Sequence, residues 1–113
     1  MSRYYAKLFK YLLEVSYTLE GIRGLRAEGG SARVAAVTAA TEAAGGKVES
    51  FYFAFGDNDA YLIVDYPDVV TAAGAVLAVT AGGGATVRTV ALLTPAEVDA
   101  SVKMQSSYRP PGG

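Results

Sequence analysis

Apolar and polar residues alternate along four stretches of the chain, and this two-residue period is typical of β-strands. The first stretch is Leu8 to Tyr17, and the last is Thr86 to Leu93. Between them, Lys47 to Phe55 and Asn58 to Tyr66 flank a short segment of glycine and polar residues. The pattern therefore predicts four strands, of which the middle two form a β-hairpin.

Two helices are predicted between the first strand and the hairpin. Thr18 is a suitable N-cap for a short, irregular helical turn, LEGIRGLRAE, which Gly21 and Gly24 weaken. Ser31 is the expected N-cap of a longer helix, which ends at Gly45-Gly46 because glycine adopts the left-handed C-terminal conformation at no steric cost. The residues at helical spacing along its buried side are Val34, Val37, Thr41 and Ala44.

Two more helices are predicted after the hairpin. Pro67 and Asp68 open the first of these, and the glycines at 82–84 end it. Its expected buried stripe is Val69, Ala73, Val76, Leu77 and Thr80. Thr94 to Glu97 has the spacing of a capping box, which predicts a short helix ending near Lys103.

The predicted order is strand, helix, strand, strand, helix, strand, with a short terminal helix. This order is that of the α+β ferredoxin-like fold, a four-stranded antiparallel sheet with its two main helices on one face. We expect one domain over residues 1–103 and a mobile tail over residues 104–113, since the tail is rich in proline, glycine and serine.

The hairpin has two distinct faces. A type II′ turn at Gly56-Asp57 would pair Phe51 with Leu62 and Tyr52 with Tyr61, and a turn one residue later leaves every side chain on the same face. The face that the helices should cover holds Phe51, Phe53, Phe55, Leu62 and Val64. The other face holds Tyr52, Ala54, Tyr61 and Ile63, with Asp59 and Asp65 at its ends.

This second face is too apolar for a solvent-exposed surface of a monomer. A second copy packed sheet to sheet would cover it and enclose a cavity, so we expect a homodimer or a higher homo-oligomer. In the alternative interpretation, the C-terminal helix of the same chain folds over this face.

Composition excludes several classes of chemistry. The chain of 113 residues contains no cysteine and no histidine, which removes disulfides, thiolate catalysis, the commonest general base and the commonest metal ligand. We therefore expect neither a cofactor nor a metal. A net charge of −1 with scattered charges argues against nucleic-acid or membrane partners, and we expect a cytoplasmic protein.

Asp59 is the leading candidate for chemistry, because it faces the same side as the two hairpin tyrosines. A carboxylate beside aromatic residues in a cavity could carry a proton or anchor a ligand, although a turn aspartate that accepts backbone N–H bonds is the alternative. Tyr52, Tyr61 and Ile63 are candidate ligand contacts, or else residues of an interface. Arg33 and Arg88 are candidate anion partners, or else members of surface ion pairs.

The segments AAGGKVESFYFAFGDNDAYLIVDYPD, TVRTVALLTPAEVDA and YTLEGIRGLR resemble the GYD-domain family, small bacterial and archaeal domains named for a Gly-Tyr-Asp signature in the central turn. Gly56 and Asp59 match that signature, whereas Asn58 stands where the tyrosine would be. The resemblance implies a fold of the dimeric α/β-barrel type and implies no particular activity.

Three function classes remain open. The first is a homo-oligomeric domain that binds a small apolar or aromatic ligand, or a partner, at the sheet face. The second is a cofactor-independent enzyme, of oxygenase or isomerase type, with Asp59 as proton acceptor. The third is a purely structural assembly protein.

Overall fold

The computed structural model describes residues 7–104 and 107–113. These residues form four strands and four helices. The strands are β1 (Phe9–Tyr17), β2 (Lys47–Phe53), β3 (Ala60–Tyr66) and β4 (Ala85–Leu92), and the helices are α1 (Leu19–Glu28), α2 (Gly30–Ala43), α3 (Val69–Ala81) and α4 (Pro95–Val102). The strands form one antiparallel sheet in the order β2-β3-β1-β4, which confirms the ferredoxin-like prediction.

The core lies between the sheet and the helices. β3 supplies its centre, because Val64 is 0% exposed and Leu62 is 3% exposed. Tyr11 and Val15 on β1, Ala85 on β4 and Ala72 on α3 complete it, with Ala60 and Tyr66 from the two ends of β3. The alternation seen in the sequence therefore places Tyr11, Val15, Leu62 and Val64 on the core side of the two central strands.

The predicted register of the hairpin is confirmed, whereas the predicted turn is wrong. Phe51 pairs with Leu62 and Tyr52 pairs with Tyr61. The strands end at Phe53 and resume at Ala60, and Gly56 lacks the positive φ that a type II′ turn requires. The loop opens because its last residues bind β1: the Asp59 N–H donates to the Val15 carbonyl, at 2.8 Å. Phe55, predicted to lie under the helices, is fully exposed in this loop.

The predicted cap of α1 at Thr18 is confirmed, but the regularity of α1 and the start of α2 differ from the prediction. α1 is a regular ten-residue helix capped by Thr18, and not a short irregular turn. The N-cap of α2 is Gly29 and not Ser31, which lies inside the first turn. Gly29 alone joins the two helices at φ 87°, a conformation that glycine adopts without strain. In α2, Thr41 is buried and Val37 packs against the core, but Ala44 is exposed.

α3 turns a different side to the core from the one predicted. Ala72 is buried and Ala75 packs against the core, whereas Val69, Ala73, Leu77 and Thr80 are exposed. Because α3 contains no charged residue, nothing in its sequence marks the side that faces water. Its ends agree with the prediction: Asp68 caps the start by accepting from the Thr71 N–H at 2.7 Å, and Gly82 caps the end.

The C-terminal part of the chain extends from the edge strand β4. Thr94 and Glu97 form the predicted capping box of α4. None of the residues of α4 is buried, so α4 does not cover the apolar sheet face. Residues 107–113 form neither helix nor strand, and residues 105–106 of the predicted tail lie outside the described residues.

Candidate functional sites on the two sides of the sheet

The side of the sheet that faces away from the helices is called the open face here. Cross-strand pairing places Leu12 of β1 between Ile63 of β3 and Val90 of β4. Tyr52 of β2 pairs with Tyr61 of β3 on the same side. The exposed fraction is 72% for Tyr52 and 36% for Tyr61, and Val90 is exposed as well. The open face therefore carries a continuous apolar and aromatic centre in contact with solvent.

At one end of the open face, the Asn58 side chain connects β1 and β3 through two hydrogen bonds. Its side-chain amide donates to the Tyr61 hydroxyl at 3.2 Å, and its amide oxygen accepts from the Ser16 hydroxyl at 3.2 Å. Asn58 thus makes polar contacts to both central strands. These contacts orient the Tyr61 ring at the edge of the apolar centre.

Ion pairs flank the apolar centre of the open face. Lys10 bridges Glu49 and Asp65, with 3.0 Å between Lys10 Nζ and Asp65 Oδ1. Hydrogen bonds to Glu49 first, and to Asp65 second, raise the pKa of Lys10 above its ordinary value. Across β1 and β4, Arg88 Nε lies 3.8 Å from Glu14 Oε1, a looser and more solvated pair. The charges of this face are therefore largely compensated within it.

Asp59 lies at the start of β3 and is bound to β1. Its Oδ2 accepts a hydrogen bond from the Tyr17 N–H at 2.8 Å, while its own N–H donates to the Val15 carbonyl. Its carbonyl accepts from the Ala54 N–H at 2.8 Å. This is the arrangement expected of an aspartate that fixes a loop between strands.

The opposite side of the sheet contains a large cleft, called the helix-side cleft here. It has a volume of about 880 Å³ and lies between α2 and α3, with α1 closing one end. Val15, Leu62, Val64 and Val87 from the sheet form its floor. A volume of this size is in the range of small-molecule sites in proteins.

Small residues create the helix-side cleft. α2 contributes Ala36 and Ala40 to one wall, with Ala44 as its C-cap, and α3 contributes Gly74 and Ala78 to the other, with Gly82 following its last turn. Residues of each wall are spaced by four, so they line one side of their helix. Because none of them projects beyond a β-carbon, the two helices leave space above the sheet.

The charged groups of the helix-side cleft gather at its α1 end. Arg33 Nη2 and Nε lie 2.8 Å and 2.9 Å from the same Oε2 of Glu28. The half-buried Tyr17 ring lines the cleft beside this pair. Desolvation, the largest cause, raises the pKa of the Tyr17 phenol above its ordinary value, and nearby Arg33 opposes this shift. The phenol therefore stays neutral well above physiological pH.

The structure divides the predicted site residues between the two sides of the sheet. Tyr52, Tyr61 and Ile63 lie together on the open face, with Arg88 on the far side of β1. Arg33, expected to serve the same cavity, instead lines the helix-side cleft. Sequence reasoning missed Tyr17 and the cleft, and the four-residue spacing of Ala and Gly on both helices was the signal that could have indicated it.

Within residues 7–104 and 107–113, carboxylate side chains nowhere form a group of three suitable for a metal ion. In that same part of the chain, no helix combines the length and apolar character needed to cross a bilayer.

Comparison with known proteins identifies a family. The family model described as GYD domain matches residues 11–102, from β1 to the end of α4. The match thus includes both the open face and the helix-side cleft. No curated protein and no solved structure matches the chain.

Proposed function

The chain belongs to the GYD domain family, and on that premise we propose that it is a self-associating binding domain whose open face packs against a second copy. The observation that carries the proposal is the exposure of the aromatic and aliphatic centre of the open face. Covering this surface removes apolar area from water, which stabilises association by about 25 cal/mol per Å². Surfaces of this kind commonly mark interaction sites.

The charges of the open face support the same proposal. Lys10 is paired with Glu49 and Asp65, and Arg88 faces Glu14. A second copy would therefore bury charges that already have partners, which avoids the large cost of an isolated buried charge. The two tyrosine hydroxyls would lie toward the rim, where such groups usually find water or a polar partner.

The other two function classes receive less support. An enzyme with Asp59 as proton acceptor needs that carboxylate to reach a substrate, and one of its oxygens already accepts the Tyr17 N–H. A purely structural assembly would leave the helix-side cleft without a role. A binding domain accounts for both surfaces.

Native mass spectrometry tests the proposal directly. For the wild-type protein we expect a mass of at least twice the 11.7 kDa of one chain. The double variant Tyr52→Glu/Val90→Glu introduces two like charges into an already exposed area, so it should remain folded and become monomeric. The control is Val70→Glu, which places the same charge at an exposed valine of α3. This variant should keep the wild-type mass.

Two results would contradict the proposal. One is a monomeric wild-type protein at concentrations well above micromolar. The other is an oligomer that survives the double variant while Val70→Glu dissociates it, which would move the interface to the helices.

A further inference from the structure

We propose that the helix-side cleft binds a small, uncharged and largely apolar molecule that carries one hydrogen-bonding group, and that the Tyr17 hydroxyl recognises this group. The site lies on the opposite side of the sheet from the proposed self-association surface. Ligand binding in the cleft therefore does not require the domain to be oligomeric.

The shape of the helix-side cleft indicates a small molecule as its occupant. The space lies within one domain, between the sheet and two of its own helices, and the partly exposed Leu13 and Val87 of the sheet border it. Cavities lined by apolar groups hold water poorly and bind apolar molecules instead. At about 880 Å³, the cleft has room for a ligand of drug-like size.

The charges around the cleft indicate that the ligand is uncharged. α3 contains no charged residue, and the lining residues of the sheet are apolar or tyrosine. The charged lining residues are Glu20, Glu28 and Arg33, all at the α1 end, and two of them pair with each other. A charged group deep in the cleft would therefore lack a partner, at a cost of several kcal/mol.

Tyr17 indicates where the one polar group of the ligand lies. Its hydroxyl has no hydrogen-bond partner among residues 7–104 and 107–113, and its oxygen is open to solvent rather than sealed in the core, so a ligand in the cleft can reach it. Because the phenol stays neutral, it can both donate and accept. A hydroxyl or carbonyl group of the ligand would satisfy it.

Pyrene and 1-hydroxypyrene provide a matched pair of fluorescent probes that differ by one hydroxyl. We expect saturable binding of both to the wild-type protein, with 1-hydroxypyrene binding more tightly. Gly74→Leu and Ala40→Leu fill the cleft from opposite walls, and a β-carbon on Gly74 meets nothing within 4 Å, so folding should be preserved. Each variant should weaken both probes at least tenfold. The control is Ala73→Leu, on the exposed side of α3, which should bind like the wild-type protein.

Tyr17→Phe tests the polar contact separately. Removing the hydroxyl should weaken 1-hydroxypyrene by roughly five- to tenfold, the usual worth of one hydrogen bond, and leave pyrene unchanged. Equal losses for both probes, or no loss for either, would overturn the role of Tyr17. The monomeric variant Tyr52→Glu/Val90→Glu should bind both probes as the wild-type protein does.

Any one of three outcomes would contradict ligand binding in the helix-side cleft. The wild-type protein shows no saturable binding, both leucine variants bind like the wild-type protein, or the open-face variant loses the probes. The last outcome would assign the probes to the open face, and it would leave the self-association experiment unaffected.

Discussion

Gly21 and Gly24 lie in the same helix, α1, and the structure predicts that replacing each with alanine changes the stability of the protein in opposite directions. A β-carbon built on Gly21 would lie 1.9 Å from the Gly84 carbonyl oxygen, whereas one on Gly24 meets nothing within 4 Å. Gly21 therefore marks a close backbone approach between α1 and the segment that precedes β4. Since Gly24 differs only in lacking that neighbour, Gly24→Ala is a matched control for Gly21→Ala.

The magnitudes follow from the contacts. In either position, alanine improves helix propensity by about 1 kcal/mol relative to glycine. At Gly21, the Gly84 oxygen must retreat by at least 1.1 Å, from 1.9 Å to the 3.0 Å below which β-carbon contacts are essentially never found. That movement strains the packing, which costs about 1–3 kcal/mol.

The same movement disturbs two hydrogen bonds. The Thr18 N–H donates to the Gly84 carbonyl at 3.0 Å, and the Thr18 hydroxyl donates to the Gly83 carbonyl at 2.8 Å. Each contributes about 1 kcal/mol. After subtraction of the propensity gain, we expect Gly21→Ala to lower the free energy of unfolding by about 2–4 kcal/mol, and Gly24→Ala to raise it by about 0.5–1 kcal/mol.

Urea denaturation followed by far-ultraviolet circular dichroism measures both values. Tyrosine fluorescence provides a second probe, because the chain has eight tyrosines and no tryptophan. In thermal unfolding, a difference of 1 kcal/mol corresponds to about 4 °C for a domain of this size. A Gly21→Ala protein as stable as Gly24→Ala would refute the close packing of α1 on the Gly84 segment.

Two further predictions concern charged groups. Lys10→Ala removes the ion-pair partner of the buried Asp65, so we expect the free energy of unfolding, measured by urea denaturation, to fall by about 1–3 kcal/mol. Arg88→Ala removes a mostly solvated ion pair and should lower it by less than about 1 kcal/mol. Equal losses in the two variants would contradict this ranking. Backbone hydrogen bonds from Thr71 and Thr94 hold the pKa values of Asp68 and Glu97 below their ordinary values of 3.8 and 4.5. Their contribution to stability is therefore present above those values and is lost as the pH falls through the lower folded-state values. The free energy of unfolding should therefore decrease less steeply between about pH 5 and pH 3 in the double variant Asp68→Asn/Glu97→Gln than in the wild-type protein. An unchanged decrease would contradict the stabilising role of these two carboxylates.

Local sequence signals predicted the elements whose cause is local. The alternation of β1 and β3, the cap at Thr18, the capping box at Thr94 and the helix stop at Gly82 each depend on residues a few positions apart. The facing of the hairpin side chains was also predictable, because turning the strands over would have exposed Leu62 and Val64.

The features that sequence reasoning missed depend on distant residues. α1 is a regular helix although Gly21 lowers its propensity, and Gly21 meets Gly84, more than sixty residues away in the chain. The hairpin loop is wide because Asp59 binds Val15 and Tyr17 of β1. No pattern within either segment records these partners.

The absence of charge on α3 made its orientation unpredictable, and the small residues of the same helix open the cleft. Gly74 and Ala78 face Ala36 and Ala40 across a space that larger side chains would fill. A helix pair closed by leucines would gain packing at this point, so the protein retains a space that lowers its stability. The cleft and the open face lie on opposite sides of one sheet, and a second copy on the open face would leave the cleft accessible. Two separate binding surfaces, the open face for a second copy and the cleft for a small molecule, therefore explain the apolar residues of both sides better than a single incompletely packed core does.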